Sequence, residues 1–467
     1  MKRLLPAIFI SAILTGSAFA SGEELYSRHC ASCHHPERYG LNAPPLIPEY
    51  FGIKKDKELA SIVANGLDAT QMPGFKGTLS ENEIKEIVAF IRTPAKMPTW
   101  GREEMLSTWE LSMLEDDREA PYDLENFFMV VEGGTGKVHF MDGAGFDVLG
   151  SVKAGAVHGG PKFSPSLKDA YVVSRDGWIT KYDIVNLREV GRLRAGISAR
   201  NLAISSDGKR LAVATLLPEG LLIMDAFTMK PVKIFNEVGA VSAVYALKGS
   251  QRFVAALKDS PEVILVDEKT LETKRIATGQ PMTDFFIEPQ ERYIIGTSRD
   301  GSEITVVDLK EGKAVKSMKS GVRMPHLASA AVWSQDGEVY AAFPHIGEPL
   351  VSVLKLYHWE LVAQIKMKGS GFFARTHEYI PHIWVDTNTD TIQLIDKKTF
   401  KVVGDVTPQP GKKAMHIEFT KEGSFALVSI WEEDGAVVIY DSRSLKPVKT
   451  LPFKKPVGKY NATNKKF

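Results

Sequence analysis

Residues 29–35 read H-C-A-S-C-H-H, and Cys30, Cys33 and His34 within them form the pattern C-x-x-C-H. Two thiols one helical turn apart can each add to a vinyl group of a porphyrin. The histidine that follows then faces the iron, so this spacing is the attachment signature of a covalently bound c-type haem. These are the only two cysteines of the chain. A redox dithiol is the rival use of such a pair, but it leaves His34 without a purpose. The iron needs a second axial ligand, and Met72, in Gln71-Met72-Pro73-Gly74-Phe75, is the candidate. A thioether opposite histidine raises the reduction potential and suits electron transfer; the bland alternative for a methionine is core packing. His29 and His35 read as surface or supporting residues rather than ligands.

These residues need elements to hold them. Ser80 and Glu83 form a capping box, Ile84, Ile87, Val88 and Ile91 repeat at helical spacing, and Thr93-Pro94 ends the run. A loop methionine before a last helix resembles the class I cytochromes c. Upstream, Lys2 and Arg3 precede an apolar run from Leu4 to Leu14 and the small residues Ala18-Phe19-Ala20. This is the pattern of an export signal cut after Ala20, and the run is too short to span a bilayer. The expectation is a periplasmic protein with no stable membrane insertion. Hydrophobic residues at 44% and charged residues at 25% are ordinary for a globular chain. A net charge of +1 gives no reason to expect nucleic acid, although local arginines can still hold a small anionic ligand.

From about Asn126 helical periodicity gives way to short β-rich runs separated by Gly, Asp and Lys turns. A unit recurs in which a strand ends in aspartate: Asp142, Asp183, Asp225, Asp267, Asp308, Asp396 and Asp441. The period of roughly 40–45 residues is that of a propeller blade, and the gap between Asp308 and Asp396 fits two units, making about eight. The hidden unit contains Val351 to Leu356 and has no aspartate. Such blades remove most open sheet edges; a long sandwich or solenoid is the alternative. The aspartates read as turn holders. The expected fold class is α plus all-β, a helical cytochrome c domain followed by an eight-bladed β-propeller. The expected divisions are a signal at 1–20, cytochrome c at 21–98, a linker at 99–123 and the propeller at 124–467.

A haem c domain followed by such a propeller resembles the cytochrome cd1 family, the periplasmic nitrite reductases and their paralogues in haem d1 biosynthesis. Trp100-Gly101 with Glu104-Met105 and Trp109 resembles the family's inter-domain linker, and Pro456-Val457-Gly458-Lys459-Tyr460-Asn461 its closing motif. Ala156-Val157-His158, Ile197-Ser198-Ala199-Arg200, and Thr376-His377 with Trp384-Val385-Asp386-Thr387 resemble blade segments. The resemblance implies that His158 ligates a d1 iron. It also implies that Arg175 and Arg200, with Arg375 as a third, hold the carboxylates of the macrocycle, for which planar guanidinium forks are suited; each arginine could instead be an inter-blade ion pair.

The reductases carry two histidines above the d1 iron. His326 matches one, whereas Thr283, in Gln280-Pro281-Met282-Thr283-Asp284, stands where the other is expected, and Leu327-Ala328-Ser329-Ala330 lacks a family arginine. His416, in Met415-His416-Ile417-Glu418, is gained. This combination resembles the biosynthetic paralogues, which dehydrogenate a propionate of dihydro-haem d1 to acrylate. It implies His326 as catalytic base, His158 and His416 as iron ligands from opposite faces, and haem c as electron acceptor. It also implies dihydro-haem d1 as substrate, a small periplasmic electron acceptor, other d1-biosynthesis proteins, and a cytochrome cd1 nitrite reductase as recipient of the product. Two other functions stay open: nitrite reduction at a permanently held d1, and a non-catalytic d1 carrier whose haem c only senses redox state. The bland reading of His416 is a buried, hydrogen-bonded histidine. His345, His377 and His382 could line the same channel without a role; His139 and His358 read as surface or turn residues.

Overall fold

A computed structural model of the chain describes residues 20–41, 43–51, 54–67, 72–95, 98–112, 118–298 and 301–465. The export run Leu4–Leu14 with Lys2 and Arg3, and Gln71, lie outside the described residues.

Among the described residues, five helices build the first module: α1 (Gly22–His29), α2 (Ala31–His34), α3 (Pro48–Phe51), α4 (Asp56–Asn65) and α5 (Glu81–Ile91). Capping boxes start both long-range partners, Ser21 with Glu24 at α1 and Ser80 with Glu83 at α5. The apolar stripe Ile84, Ile87, Val88 and Ile91 packs with Leu25 and Tyr26 of α1. The two helices touch at Gly22, where any Cβ would stand 2.2 Å from the Glu86 carbonyl oxygen, so only glycine permits the approach. Tyr26 and Phe90 meet at 5.3 Å between ring centroids. Arg38 donates to the carbonyls of Phe90, Thr93 and Pro94, satisfying the acceptors that the end of α5 leaves over.

After the linker, the described residues form eight four-stranded antiparallel sheets in succession, the eight-bladed propeller read from the repeat. The fourth and fifth touch through a single parallel bridge, Ala277 to Lys313. The chain closes on itself: Pro456–Asn461 pairs with Phe128–Glu132, in register Val130 to Lys459, so the last segment supplies the strand nearest the axis of the first blade. The repeated aspartates hold turns. Asp142, Asp225, Asp396 and Asp441 each accept a backbone N–H two or three residues on. The aspartate-free unit is present, with Leu350–Lys355 as its third strand.

The segment between the modules is more than a tether. A short helix, α6 (Arg102–Ser107), buries Met105 in the core of the second and third blades, and Trp109 donates to the Thr228 carbonyl at 2.8 Å. Glu110–Leu111 then adds a fifth strand outside Arg188–Arg194. Period and composition gave no sign of that strand, because its pairing partner is 80 residues away in sequence.

Candidate functional site

The c-type attachment motif lies at the end of α1 and along α2, with Cys30 buried, Cys33 exposed and neither in a disulfide. His34 is 7% exposed, and its Nδ1–H donates to the Pro44 carbonyl at 2.7 Å. That bond fixes the tautomer and leaves the Nε2 lone pair for a metal. Burial lowers the imidazole's pKa against the opposing carbonyl, keeping it neutral as ligation requires. Free thiols, a neutral oriented imidazole and an apolar wall of Leu59, Val63 and Leu79 fit a covalent haem. Met72 is half-buried in the loop between α4 and α5, its carbonyl held by the amide of Leu67. His35 stacks on Tyr39 and His29 packs edge-on against Phe75, in agreement with supporting roles.

The second site forms where the inner strands of the propeller begin. His158 precedes the second blade's first strand Lys162–Phe163, Arg200 lies in that of the third (Ser198–Ile204), and His326 precedes that of the sixth (Ala331–Gln335). Residues 156–158 lie alongside 173–175: His158 N–H donates to the Val173 carbonyl at 3.0 Å and Arg175 N–H to Ala156 at 2.9 Å. This brings His158 beside Arg175, two residues the chain separates by a hairpin. From the next blade, the Arg200 carbonyl accepts the His158 Nδ1–H at 2.6 Å, so Nε2 again carries the lone pair. Burial first, then the charges of Arg175 and Arg200, push the His158 pKa down to about 3. A neutral imidazole flanked by two guanidiniums suits a metal whose surrounding ligand carries carboxylates. Gly160 lies close by with φ +71°, and a Cβ there would stand 2.4 Å from the Tyr460 ring.

Between the fifth and sixth blades, the His326 Nδ1–H donates to Asp284 Oδ2 at 2.6 Å, and Asp284 Oδ1 accepts from the Ala328 N–H at 2.6 Å. The carboxylate is thus locked, and it locks the imidazole with Nε2 turned outward. Phe372 and Phe373 stand at 6.5 Å from the His326 ring. Their amides are held by the buried carboxylate of Asp386, which burial pushes up to about 7 against those same two hydrogen bonds. Thr283 lies next to Asp284 and its hydroxyl faces the Thr297 carbonyl.

His416 differs in kind. It is the residue of a β-bulge between Met415 and Ile417, with φ +48°, a conformation that a non-glycine residue adopts only when its surroundings impose it. Its ring is 2% exposed and packs between Phe373 at 4.8 Å and Tyr460 at 5.0 Å. Lys459, wholly buried, donates to the His416 carbonyl and to Ser429 Oγ. His416 is therefore held within the packing of the last blade and its neighbours. Arg375 donates to the Ala374 carbonyl at 3.0 Å, and its charge acts on Tyr460.

Other histidines separate cleanly. His345 is fully buried and bonded to Ser352 Oγ at 2.9 Å, and His377 bonds the Lys421 carbonyl, so both serve the blades. His358 is exposed near a turn, as expected. His139 corrects its reading: it sits within the strand Lys137–Met141, its side chain mostly covered, 2.9 Å from the Glu132 carboxylate.

Sequence reading missed three contributors. Asp284 was in view only as the neighbour of Thr283; an acidic residue beside an expected histidine position was its one signal. Phe373 carried none. Tyr50 belongs to α3 of the cytochrome module, yet the charges of Arg175, Arg200 and Asp176 act on its hydroxyl, which burial raises in pKa. One module therefore closes over the arginine side of the other's site.

The family model described as cytochrome D1 heme domain matches residues 122–465, and one described as cytochrome C oxidase, cbb3-type, subunit III, matches residues 17–91. The chain is 39% identical to the dihydro-heme d1 dehydrogenase of Pseudomonas aeruginosa, covering 96% of this chain and 94% of that protein. It is 28% identical to protein NirF of the same species over 71% of this chain and 89% of that protein. A solved structure of dihydro-heme d1 dehydrogenase NirN in complex with DHE superposes with a TM-score of 0.86 at 38% identity, covering 96% of this chain and all of that one.

Proposed function

Because the chain belongs to the cytochrome D1 heme domain family, we propose that it is a dihydro-haem d1 dehydrogenase, oxidising a propionate side chain of dihydro-haem d1 to an acrylate in haem d1 biosynthesis. The observation that carries this reading over nitrite reduction is the His326–Asp284 pair beside Thr283. It provides one aligned proton acceptor where the reductase pattern calls for two imidazoles.

The saturated side chain, –CH2–CH2–COO⁻, becomes –CH=CH–COO⁻ with loss of two protons and two electrons. His326 Nε2 takes one proton, the Asp284 carboxylate holds the ring in the accepting tautomer and stabilises the cation that forms, and the second proton passes to water. His158 ligates the macrocycle's iron through Nε2, and Arg175, Arg200 and Arg375 bind its carboxylates and set which edge faces His326. His416, packed against Phe373 and Tyr460, would be a second imidazole able to hold that iron. Cys30, Cys33 and His34, with Met72, hold a haem c, which when bound accepts single electrons. Cys33 is exposed, which supports electron delivery from this module to a small periplasmic acceptor. No helix among the described residues is long and apolar enough to cross a membrane. The N-terminal pattern of residues 1–20 supports export, and in this reading a cytochrome cd1 nitrite reductase receives the product.

The test is anaerobic incubation of His326→Ala with dihydro-haem d1 and an oxidant, followed by mass spectrometry. The expected result is bound macrocycle without loss of two hydrogens; conversion at the wild-type rate would remove His326 as the base.

A further inference from the structure

Arg194 ends the outer strand Arg188–Arg194 of the second blade, outside every motif, yet it contacts the cytochrome module, the linker and the turn that carries Arg175. Its Nε donates to the Asp176 carbonyl at 2.8 Å, in the turn that carries Arg175. Its Nη2 donates to the carbonyls of Tyr39 and Gly40, at 3.2 and 3.3 Å, in the loop of the cytochrome module. That loop is tied directly to the haem c motif: Gly40 N–H donates to the His34 carbonyl at 3.0 Å, and Tyr39 stacks on His35. The linker completes the node. Trp100 lies 5.0 Å under the guanidinium and its Nε1–H donates to the Arg194 carbonyl at 3.2 Å, while the Arg194 amide donates to Thr108 Oγ1 at 2.9 Å.

We propose that Arg194 is the positioning residue that holds the haem c motif in register with the Arg175 edge of the macrocycle site, and so sets the rate at which electrons pass between them. This rests on the dehydrogenase reading, in which two electrons must cross singly in each turnover. A planar guanidinium suits the task, because its donors diverge in a fixed fork and reach two loops of different modules at once; an ammonium has one nitrogen and cannot span both. The guanidinium is half-buried, so its hydrogen bonds are partly shielded from competing water. The bonds of its backbone to Trp100 and Thr108 hold the linker against the same strand. Nothing in this arrangement binds substrate, so its loss leaves both sites chemically intact and changes their relation.

The experiment compares wild type, Arg194→Gln and Arg194→Lys, each loaded with haem c. First, without macrocycle, hydrogen exchange is read at residues 39–40, 100–109 and 174–177. Then ferric haem c is mixed with dihydro-haem d1 and its reduction followed by stopped flow, with reduction by ascorbate as reference. Arg194→Gln should exchange faster at all three segments and slow internal reduction by about tenfold or more, the scale of a small misplacement, with ascorbate reduction unchanged. Arg194→Lys keeps the cation over Trp100 and should fall between; it decides the matter if the glutamine variant loses its haem c spectrum. Unchanged exchange and unchanged internal reduction in both variants would overturn the proposal. Wild-type haem c that dihydro-haem d1 cannot reduce would instead sink the dehydrogenase reading, leaving the exchange comparison to decide the role of Arg194.

Discussion

Replacing Asp284 by asparagine tests the catalytic reading at its narrowest point. The two carboxylate oxygens have different demands: Oδ1 must accept from the Ala328 N–H, and Oδ2 accepts from His326 Nδ1, each at 2.6 Å. An asparagine keeps the first bond only by turning its carbonyl toward Ala328, which points its NH2 at Nδ1. Two donors then face each other unless the imidazole moves its proton to Nε2, the nitrogen that must accept one from substrate. The variant loses a hydrogen bond to a charged group, about 1.5–3 kcal/mol. At about 1.4 kcal/mol per decade that is about 10- to 100-fold in rate, before the misplaced proton is counted. We expect single-turnover conversion of dihydro-haem d1 to fall by about 100-fold or more, with binding of the macrocycle unchanged. Asp284→Ala separates charge from tautomer. It leaves the exposed Ala328 amide to water and both tautomers accessible, so it should be faster than Asp284→Asn. An alanine variant slower than the asparagine variant would refute the tautomer argument, and wild-type rates in both would remove Asp284 from the mechanism.

Two further outcomes follow from the geometry. His158→Ala should weaken macrocycle binding and change the optical spectrum of its iron, whereas His416→Ala should change the spectrum with a smaller loss of affinity, since its ring must leave a packed position to ligate. Equal titration curves and spectra for wild type and His416→Ala would exclude it as a ligand. His345 predicts acid sensitivity. Burial pushes its pKa down to about 4, below the value near 6.5 of an unfolded histidine, so the unfolded chain binds a proton first. Stability is lost as pH falls from about 6.5 toward 4, by roughly 3 kcal/mol from this group. Denaturant titrations across that window should show a shallower decline in His345→Gln; parallel curves would mean the buried imidazole contributes nothing.

The sequence alone determined whatever is local in the chain. C-x-x-C-H is a contact between neighbours along one helical turn, and the Ser80–Glu83 cap is another. The propeller was legible because its turn aspartates recur at blade length, each needed by a hairpin a few residues long. His158 and Arg200 stood out as candidates only by resemblance. Tertiary structure decided the rest, because the partners come from different blades or different modules. Asp284 and His326 are 42 residues apart, and their bond exists because the fifth and sixth blades pack side by side. The turning of His416 into the wall depends on a bulge and on Phe373 and Tyr460 from the adjoining blades. Arg194 has no local signature at all, since its carbonyl partners at Tyr39 and Gly40 lie more than 150 residues away. Periodicity specifies which face of a strand is buried; which distant backbone a guanidinium meets is set only when the modules pack.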